Sequence, residues 1–112
     1  MRNLPVLVSP HLRMDMKECI EACRACHEAC VACAEKCREM GHQEMADLCD
    51  ACAQQCQKCV EAMQKGSNAE CSVCAQICTD CGAECAKIDE ETHRLCAEAC
   101  AKCADECGKM AT

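Results

Sequence analysis

The 112-residue sequence contains no Trp, Tyr or Phe, and its Leu, Ile and Val residues together number only 13. A core built from large apolar side chains, the usual interior of a stable domain, is therefore excluded. The other apolar residues are chiefly 18 Ala, 7 Met and 19 Cys. Cysteine at this level is typical of a disulfide scaffold or of a metal-binding protein.

The sequence also lacks segments that would direct it to a membrane. Its N-terminal apolar run, Leu4 to Val8, has five residues and contains Pro5, whereas a secretory signal needs roughly 7–15 apolar residues and a small-residue cleavage site. No stretch approaches the roughly 20 apolar residues of a membrane span. We therefore expect a cytoplasmic protein with no membrane partner, in a reducing compartment where disulfides are rare.

Positive charge is scarce. Asp and Glu number 19 against 12 Lys and Arg, which gives a net charge of −7. An acidic surface argues against nucleic acid as a partner. The odd number of cysteines excludes complete pairing within the chain, which is a further argument against a disulfide scaffold.

The cysteines recur at alternating steps of three and four residues within four blocks. On a helix this 3.5-residue repeat places every cysteine at an a or d heptad position, in a single stripe. Small residues, mostly Ala, flank the stripe and allow helices to approach closely. The four blocks are Cys19, Cys23, Cys26, Cys30, Cys33 and Cys37; Cys49, Cys52, Cys56 and Cys59; Cys71, Cys74, Cys78, Cys81 and Cys85; and Cys96, Cys100, Cys103 and Cys107.

Helix start and stop signals separate the blocks. Gly41 and Gly66 are suited to ending the first two helices, because glycine readily adopts the left-handed conformation that follows many helices. Ser67 and Glu70 have the spacing of a capping box at the start of the third helix. Asp89 is the expected cap of the fourth helix.

These signals predict an all-α protein. Ser9 followed by Pro10 fits the start of the first helix. Short connections force consecutive helices to run antiparallel, so the expected fold is an up-down-up-down four-helix bundle with a cysteine-lined core. We expect a single domain over residues 10–112, preceded by an extended arm at residues 1–9. The predicted helices lie near residues 10–40, 42–65, 68–87 and 90–109.

Nineteen thiols facing one core favour metal binding over other roles. Apolar packing does not need cysteine, since Ala, Val or Leu would pack without the oxidation hazard. Disulfides between residues three apart on one helix would be strained and would close very short loops. Soft thiolates select Cu(I), zinc or iron–sulfur clusters, and the ferredoxin spacing of iron–sulfur ligands is absent.

Spacing and charge favour Cu(I) among these metals. A linear sulfur–metal–sulfur unit spans about 4.5 Å, close to the roughly 5–6 Å between Cβ atoms three or four residues apart on a helix. One Cu(I) per lost proton leaves the core neutral, whereas four thiolates around one zinc ion carry a charge of −2. This balance predicts roughly 15–22 Cu(I) ions per chain.

Two other functions stay open from the residues alone. One is a zinc-sequestering, metallothionein-like protein, and the other is a redox-sensing interaction protein that uses reversible thiol oxidation. An enzyme is not expected, because the C-x-x-C pairs lack the βαβ context of thioredoxin chemistry. His27 lies beside the stripe and is interpreted as a flanking residue.

The stripe continues beyond the cysteines into other side chains. At one end the expected bundle gathers a set that we call the mouth, together with Ile88: Met40, His42, Met45 and His93. At the other end it gathers a set that we call the plug, together with Leu12: Met16, Met63 and Met110. Thioether and imidazole are weaker ligands for Cu(I) than thiolate. The mouth is therefore predicted to bind incoming metal and pass it to the 19 cysteines, while the plug closes the core.

The sequence resembles the cytosolic branch of the bacterial copper storage proteins. The resemblance covers residues 11–110 and rests on the stretches CIEACRACHEACVACAEKC, CDACAQQCQKC, CSVCAQICTDCGAEC and CAEACAKCADEC, with Met and His residues clustered at one end. It implies a four-helix bundle that binds many Cu(I) ions through cysteine thiolates, and assembly as a homotetramer.

Overall fold

A computed structural model describes residues 10–111, with side chains from Met16 onward. It contains four helices: α1 (Pro10–Glu39), α2 (Gln43–Gln64), α3 (Cys71–Cys85) and α4 (Glu91–Met110). Within the described residues, each helix packs against the next and α1 packs against α4. The diagonal pairs meet only through side chains in the core, as between Cys26 of α1 and Cys78 of α3. This arrangement confirms the predicted four-helix bundle. The proposed arm at residues 1–9, the cap at Ser9 and the side chain of Leu12 lie outside what is described.

The two glycines end their helices as predicted. Gly41 has a φ angle of 79° and Gly66 a φ angle of 85°. After α1, the His42 amide donates to the Cys37 carbonyl at 2.8 Å. After α2, the Ser67 amide donates in the same way to the Ala62 carbonyl at 2.9 Å. Both are six-to-one hydrogen bonds of a Schellman motif, which needs a left-handed residue.

The predicted cap of α3 is wrong. Instead of forming a capping box with Glu70, Ser67 accepts a hydrogen bond from the Ala69 amide at 3.1 Å and starts a separate turn. Glu70 instead accepts from the Gln55 side chain at 3.0 Å. The serine is occupied by its own turn, so α3 begins only at Cys71.

The predicted cap of α4 is also wrong, by one residue. Glu90, not Asp89, takes the N-cap position, and its carboxylate accepts from the amides of Thr92 and His93, each at 3.0 Å. Glu90 has an extended backbone, with φ −157° and ψ 142°, as an N-cap requires. Its longer side chain also reaches a second partner, the His93 ring.

The bundle interior consists of thiols. All 19 cysteines have zero solvent exposure, and the largest side chains packed among them are methionines and one histidine. Small residues bring the helices close together, as at Gly82 in α3. An added Cβ atom at Gly82 would lie only 3.0 Å from the Cβ atom of Cys100 in α4. The heptad stripe therefore faces inward along its whole length.

No helix in the described part of the chain combines the length and the apolar character that crossing a bilayer requires. The outward faces of the helices carry ion pairs such as Lys36 with Glu39, Lys87 with Glu84 and Arg38 with Asp50.

Candidate metal centre

The thiols form one continuous network. All 19 are free, and many sulfur pairs lie within 4.0 Å across helices. The Sγ atoms of Cys23 and Cys103 are 3.5 Å apart, and those of Cys52 and Cys78 are 3.7 Å apart. Nearest-neighbour contacts along one helix are fewer and occur four residues apart, as between Cys26 and Cys30 at 3.8 Å.

The sulfurs gather into quartets whose four Sγ atoms lie within 4.8 Å of one another. Each of the following quartets draws on at least three helices. The sequence-based expectation of bridges along a single helix was therefore too narrow, because helix packing brings sulfurs from neighbouring helices just as close. Five such quartets are Cys23/Cys74/Cys103/Cys107, Cys26/Cys56/Cys78/Cys103, Cys26/Cys30/Cys52/Cys100, Cys30/Cys81/Cys96/Cys100 and Cys33/Cys49/Cys85/Cys96.

Neighbouring quartets share sulfurs. In the order just given, the first and second share Cys103, the second and third share Cys26, and the fourth and fifth share Cys96. The third and fourth share two sulfurs, those of Cys30 and Cys100. A metal bound in one quartet therefore has a ligand in common with the next, as expected for a multinuclear cluster with bridging thiolates.

The core holds almost no countercharge. Among the described side chains, His93 and Glu106 are the buried polar or charged groups, and no Lys or Arg is buried. Two sulfurs on one metal ion lie at most about 4.6 Å apart, given a metal–sulfur bond of about 2.3 Å. Sulfur pairs such as Cys23 with Cys103, at 3.5 Å, and Cys56 with Cys103, at 4.0 Å, are therefore close enough to bind one ion. A buried anionic cluster would lack compensating cations, which favours a monovalent metal that replaces protons one for one.

Burial disfavours ionisation of the metal-free thiols, although hydrogen bonds between thiols lower the pKa of some of them, as the contact with Cys33 does for Cys49. Burial raises the pKa of Cys37 above that of an ordinary thiol. The hydrogen bond with Cys100, together with burial, raises the pKa of Cys30 to about 11. Because a thiol must lose its proton to bind metal as thiolate, filling the core must release protons.

His93 extends the thiol core at one end of the bundle. Its side chain is fully buried, and its Nε2 atom lies 3.2 Å from the Sγ atom of Cys37. Its Nδ1 atom lies 2.5 Å from the carboxylate of Glu90. Burial lowers the pKa of the His93 imidazole, but the hydrogen bond to Glu90 together with the charges of Cys33, Cys85 and Glu90 leaves the pKa raised. The same hydrogen bond, with that from Thr92, lowers the pKa of Glu90 to about 2.

The other mouth residues surround the same end from outside. His42 and Met45 line an open cleft of about 700 Å³ together with Ile88. Met45 also packs against the buried core. Met40 is 41% exposed and does not continue the stripe inward, because α1 ends at Glu39. The structure thus brings His93 to the thiols and leaves Met40 and His42 in solvent.

The plug closes the opposite end. Met63 and Met110 are each only 3% exposed, and Met16 packs against the same cluster. The side chain of Asn68 donates to the Met110 carbonyl at 2.6 Å, which ties the α2–α3 connection to the end of α4. The sequence-based placement of the two sets at opposite ends agrees with these contacts.

Sequence reasoning overlooked two acidic residues. Glu90 was not identified as a site residue from the sequence, although its i, i+3 spacing to His93 could have indicated the contact. Glu106 is 4% exposed beside Lys102 and Lys109, at 3.5 and 3.4 Å. It lies next to a stripe cysteine, and no pattern in the sequence distinguishes it from exposed glutamates.

The interpretation of His27 as a residue beside the stripe agrees with its position: its side chain is half-buried, and its Nδ1 atom lies 2.9 Å from the Ala53 carbonyl oxygen.

A four-helix bundle whose sealed core is a connected array of free thiols is the architecture of a multinuclear metal–thiolate protein. The chain belongs to the copper storage protein family, whose family model matches residues 12–112. The resemblance inferred from the cysteine stretches is therefore confirmed.

Solved structures agree with this assignment. Apo copper storage protein 3 from Bacillus subtilis is 41% identical, with 86% of this chain and 98% of that chain covered and a TM-score of 0.81. The Cu(I)-bound copper storage protein BsCsp3 is 39% identical, with coverage of 88% and 99% and a TM-score of 0.82. The Nmul_A1745 protein from Nitrosospira multiformis is 34% identical, with coverage of 88% and 96% and a TM-score of 0.81. A search of curated proteins finds no match to the chain.

Proposed function

We propose that this chain stores many Cu(I) ions in its core as clusters bound by the thiolates of all 19 cysteines. The observation that carries the proposal is the unbroken series of overlapping sulfur quartets in an interior without a buried Lys or Arg. Support comes from the Cu(I)-bound structure of the related BsCsp3. Storage needs reversible binding rather than turnover, so we propose no enzymatic activity.

Zinc sequestration is the weaker alternative. The quartets could surround a tetrahedral ion, but four thiolates per zinc would leave a double negative charge in a core that lacks cations. Cu(I) replaces one proton per thiol and leaves the core neutral. Thiolate ligands also suit this soft ion.

Redox sensing is disfavoured by burial. A sensor cysteine reacts through an accessible, readily ionised thiol. Here all 19 thiols have zero exposure, and the pKa of Cys37, near the mouth, is raised. The arrangement protects the thiols from oxidants rather than presenting them.

We propose that metal is loaded through the mouth. His42 and Met45 lie in the open cleft, Met40 is exposed beside it, and His93 connects this end to Cys37. Imidazole and thioether groups bind Cu(I) without the strength of a thiolate, so an ion can move on to the sulfurs. At the plug end, Met63 and Met110 are tightly buried.

The cellular setting is also a proposal. We propose that the protein acts in the cytoplasm, because its 19 thiols are free and a reducing compartment keeps thiols reduced, and that residues 10–112 form a single domain. We further propose a homotetramer, as the family resemblance implies. The exposed apolar side chains of Val31, Val73 and Leu95 support a surface that packs against other subunits.

An anaerobic titration with Cu(I), in competition with a chromogenic chelator, tests the storage proposal. Charge balance predicts saturation at roughly 15–22 Cu(I) per chain. The matched control replaces with Ala four cysteines that each belong to two of the five quartets, which should reduce capacity by several ions: Cys26, Cys30, Cys100 and Cys103. Saturation at only a few Cu(I), or a preference for about seven Zn²⁺, would contradict the proposal.

A further inference from the structure

Glu90 makes two kinds of contact at the start of α4. Its carboxylate accepts from the backbone amides of Thr92 and His93 as the N-cap. The oxygen that binds the His93 amide, Oε1, also lies 2.5 Å from Nδ1 of the His93 ring. One side chain therefore fixes both the first turn of the helix and the imidazole that this turn carries.

The residue type at this N-cap is unusual for capping alone. Ser, Thr, Asp and Asn are the preferred N-caps because their short side chains reach the free amides. Asp89 precedes Glu90 and would have been a standard cap, yet the helix starts one residue later. Glu has the additional methylene that lets one carboxylate reach the amides and the ring together. The longer side chain is thus explained by the ring contact rather than by the cap.

The contact determines which ring nitrogen is free. Both carboxylate oxygens of Glu90 already accept from backbone amides, Oε2 from Thr92 and Oε1 from His93, so the group acts as an acceptor at this position. Nδ1 must therefore carry the proton in this contact. In the neutral ring, Nε2 then has the lone pair, and Nε2 is the atom 3.2 Å from Cys37 Sγ. The Sγ atom of Cys37 and the Nε2 atom of His93 can thus bind the same metal ion on the inner side of the mouth.

We propose that Glu90 is a positioning residue that holds His93 in the Nδ1–H tautomer and directs Nε2 towards Cys37 as a copper ligand. This inference rests on the proposed copper storage function and deepens it. Carboxylates commonly fix metal-binding histidines in this way, and their loss typically weakens metal binding 10–100-fold. Glu90 touches no thiol itself, so its effect is exerted through the imidazole.

Nitrogen-15 NMR of the metal-free protein tests the positioning role directly. At alkaline pH, where the ring is neutral, the wild-type His93 should show a protonated Nδ1 and an unprotonated Nε2. Glu90→Ser keeps a preferred N-cap but cannot reach the ring, and it should give a mixture of tautomers. Glu90→Gln keeps the length and an acceptor oxygen, and it should retain the wild-type tautomer.

Glu91→Gln is the matched control. Glu91 is adjacent and acidic, but its carboxylate pairs with Arg94 and is largely exposed. This variant should leave the His93 signals unchanged. A wild-type ring already in the Nε2–H tautomer, or Glu90→Ser signals identical to those of the wild type, would overturn the positioning role.

Addition of Cu(I) tests the ligand role. The wild-type Nε2 resonance should move while the bundle fills, and Glu90→Ser should need about tenfold or more free Cu(I) to give the same shift. An Nε2 resonance that stays fixed while the wild-type protein fills would overturn the inference and leave storage intact. Failure of the wild-type protein to take up Cu(I) would instead overturn the storage function and with it the ligand role, while the metal-free tautomer remains a separate test of positioning.

Discussion

The two ends of the bundle finish the same cysteine stripe in opposite ways. At the plug, the core is followed by the thioethers of Met63 and Met110, each 3% exposed. At the mouth, it is followed by a buried imidazole, then by Met45 and His42 at an open cleft. At one end, donor groups thus lie both in the core and at an open cleft, whereas at the other end the methionines are packed away from solvent.

The difference shows that a few residues are enough to make the two ends of a regular four-helix bundle chemically different. Both ends use the same Schellman turn, with Gly41 at the mouth and Gly66 at the plug. The distinction comes from the few residues that follow the last cysteine of each helix. Four experiments test this contrast, ordered from the largest expected effect to the smallest.

Truncating a plug residue should destabilise the metal-free protein far more than truncating an exposed mouth residue. Met63→Ala leaves a cavity in a packed site and should cost about 2–5 kcal/mol of unfolding free energy. Met40→Ala, at a side chain that is 41% exposed, should change it by less than about 0.5 kcal/mol. Urea unfolding followed by circular dichroism under reducing conditions measures both. Equal losses would show that the two ends are packed alike.

The two turn glycines should give equal losses. Gly41→Ala and Gly66→Ala force alanine to a φ angle of 79° or 85° with no atom nearby to clash, which costs roughly 1–2 kcal/mol. The same unfolding experiment compares them. A large difference between the two would place the asymmetry of the ends in the turns rather than in the side chains beyond the cysteines.

Replacing all four mouth residues should slow copper uptake. Loss of these donors should raise the free-energy barrier to metal transfer by about 1.4 kcal/mol. An increase of this size corresponds to about tenfold slower filling. Stopped-flow absorbance of the copper–thiolate bands measures the rate, and final capacity should fall by only a few ions. The control replaces all three plug residues with Leu, a nearly volume-conserving change. If the control fills slowly and the mouth variant fills normally, the two ends have been assigned the wrong way round.

Acid should weaken the mouth end through Glu90. The folded-state pKa of Glu90 is lowered from 4.5 to about 2, so its stabilising effect is present above pH 4.5 and is lost as the pH falls towards 2. Glu90→Gln should therefore be less stable than the wild type at neutral pH and should approach it near pH 2. Thermal unfolding of both proteins across this range measures the gap. A gap that is constant with pH would show that the carboxylate charge does not contribute.

The arrangement of the helices could be predicted because local signals and the heptad pattern agree. Alternating steps of three and four residues put all the thiols on one face, and glycines with short connections set the antiparallel order. The same periodicity placed Met63 and His93 at opposite ends. These inferences depend only on spacing along a helix, which the sequence contains completely.

Details that depend on competing partners could not be predicted. Ser67 and Asp89 both fit capping patterns, but Ser67 forms its own turn and Asp89 is displaced as cap by Glu90, whose carboxylate also gains the His93 ring. The quartets were equally inaccessible, because they depend on how neighbouring helices are offset along their axes. Met40 matched the stripe by spacing but falls after the end of α1.

The sulfurs shared by neighbouring quartets have a consequence for exchange between the two ends. From the quartet with Cys107 to the quartet with Cys49, each quartet has at least one sulfur in common with the next. An ion can therefore change its neighbours one sulfur at a time, without ever being released as a bare cation inside the protein. The interior is then a continuous series of linked sites rather than a row of separate ones. Under the proposed loading through the mouth, the ion nearest His93 is the last to arrive and the first in position to leave.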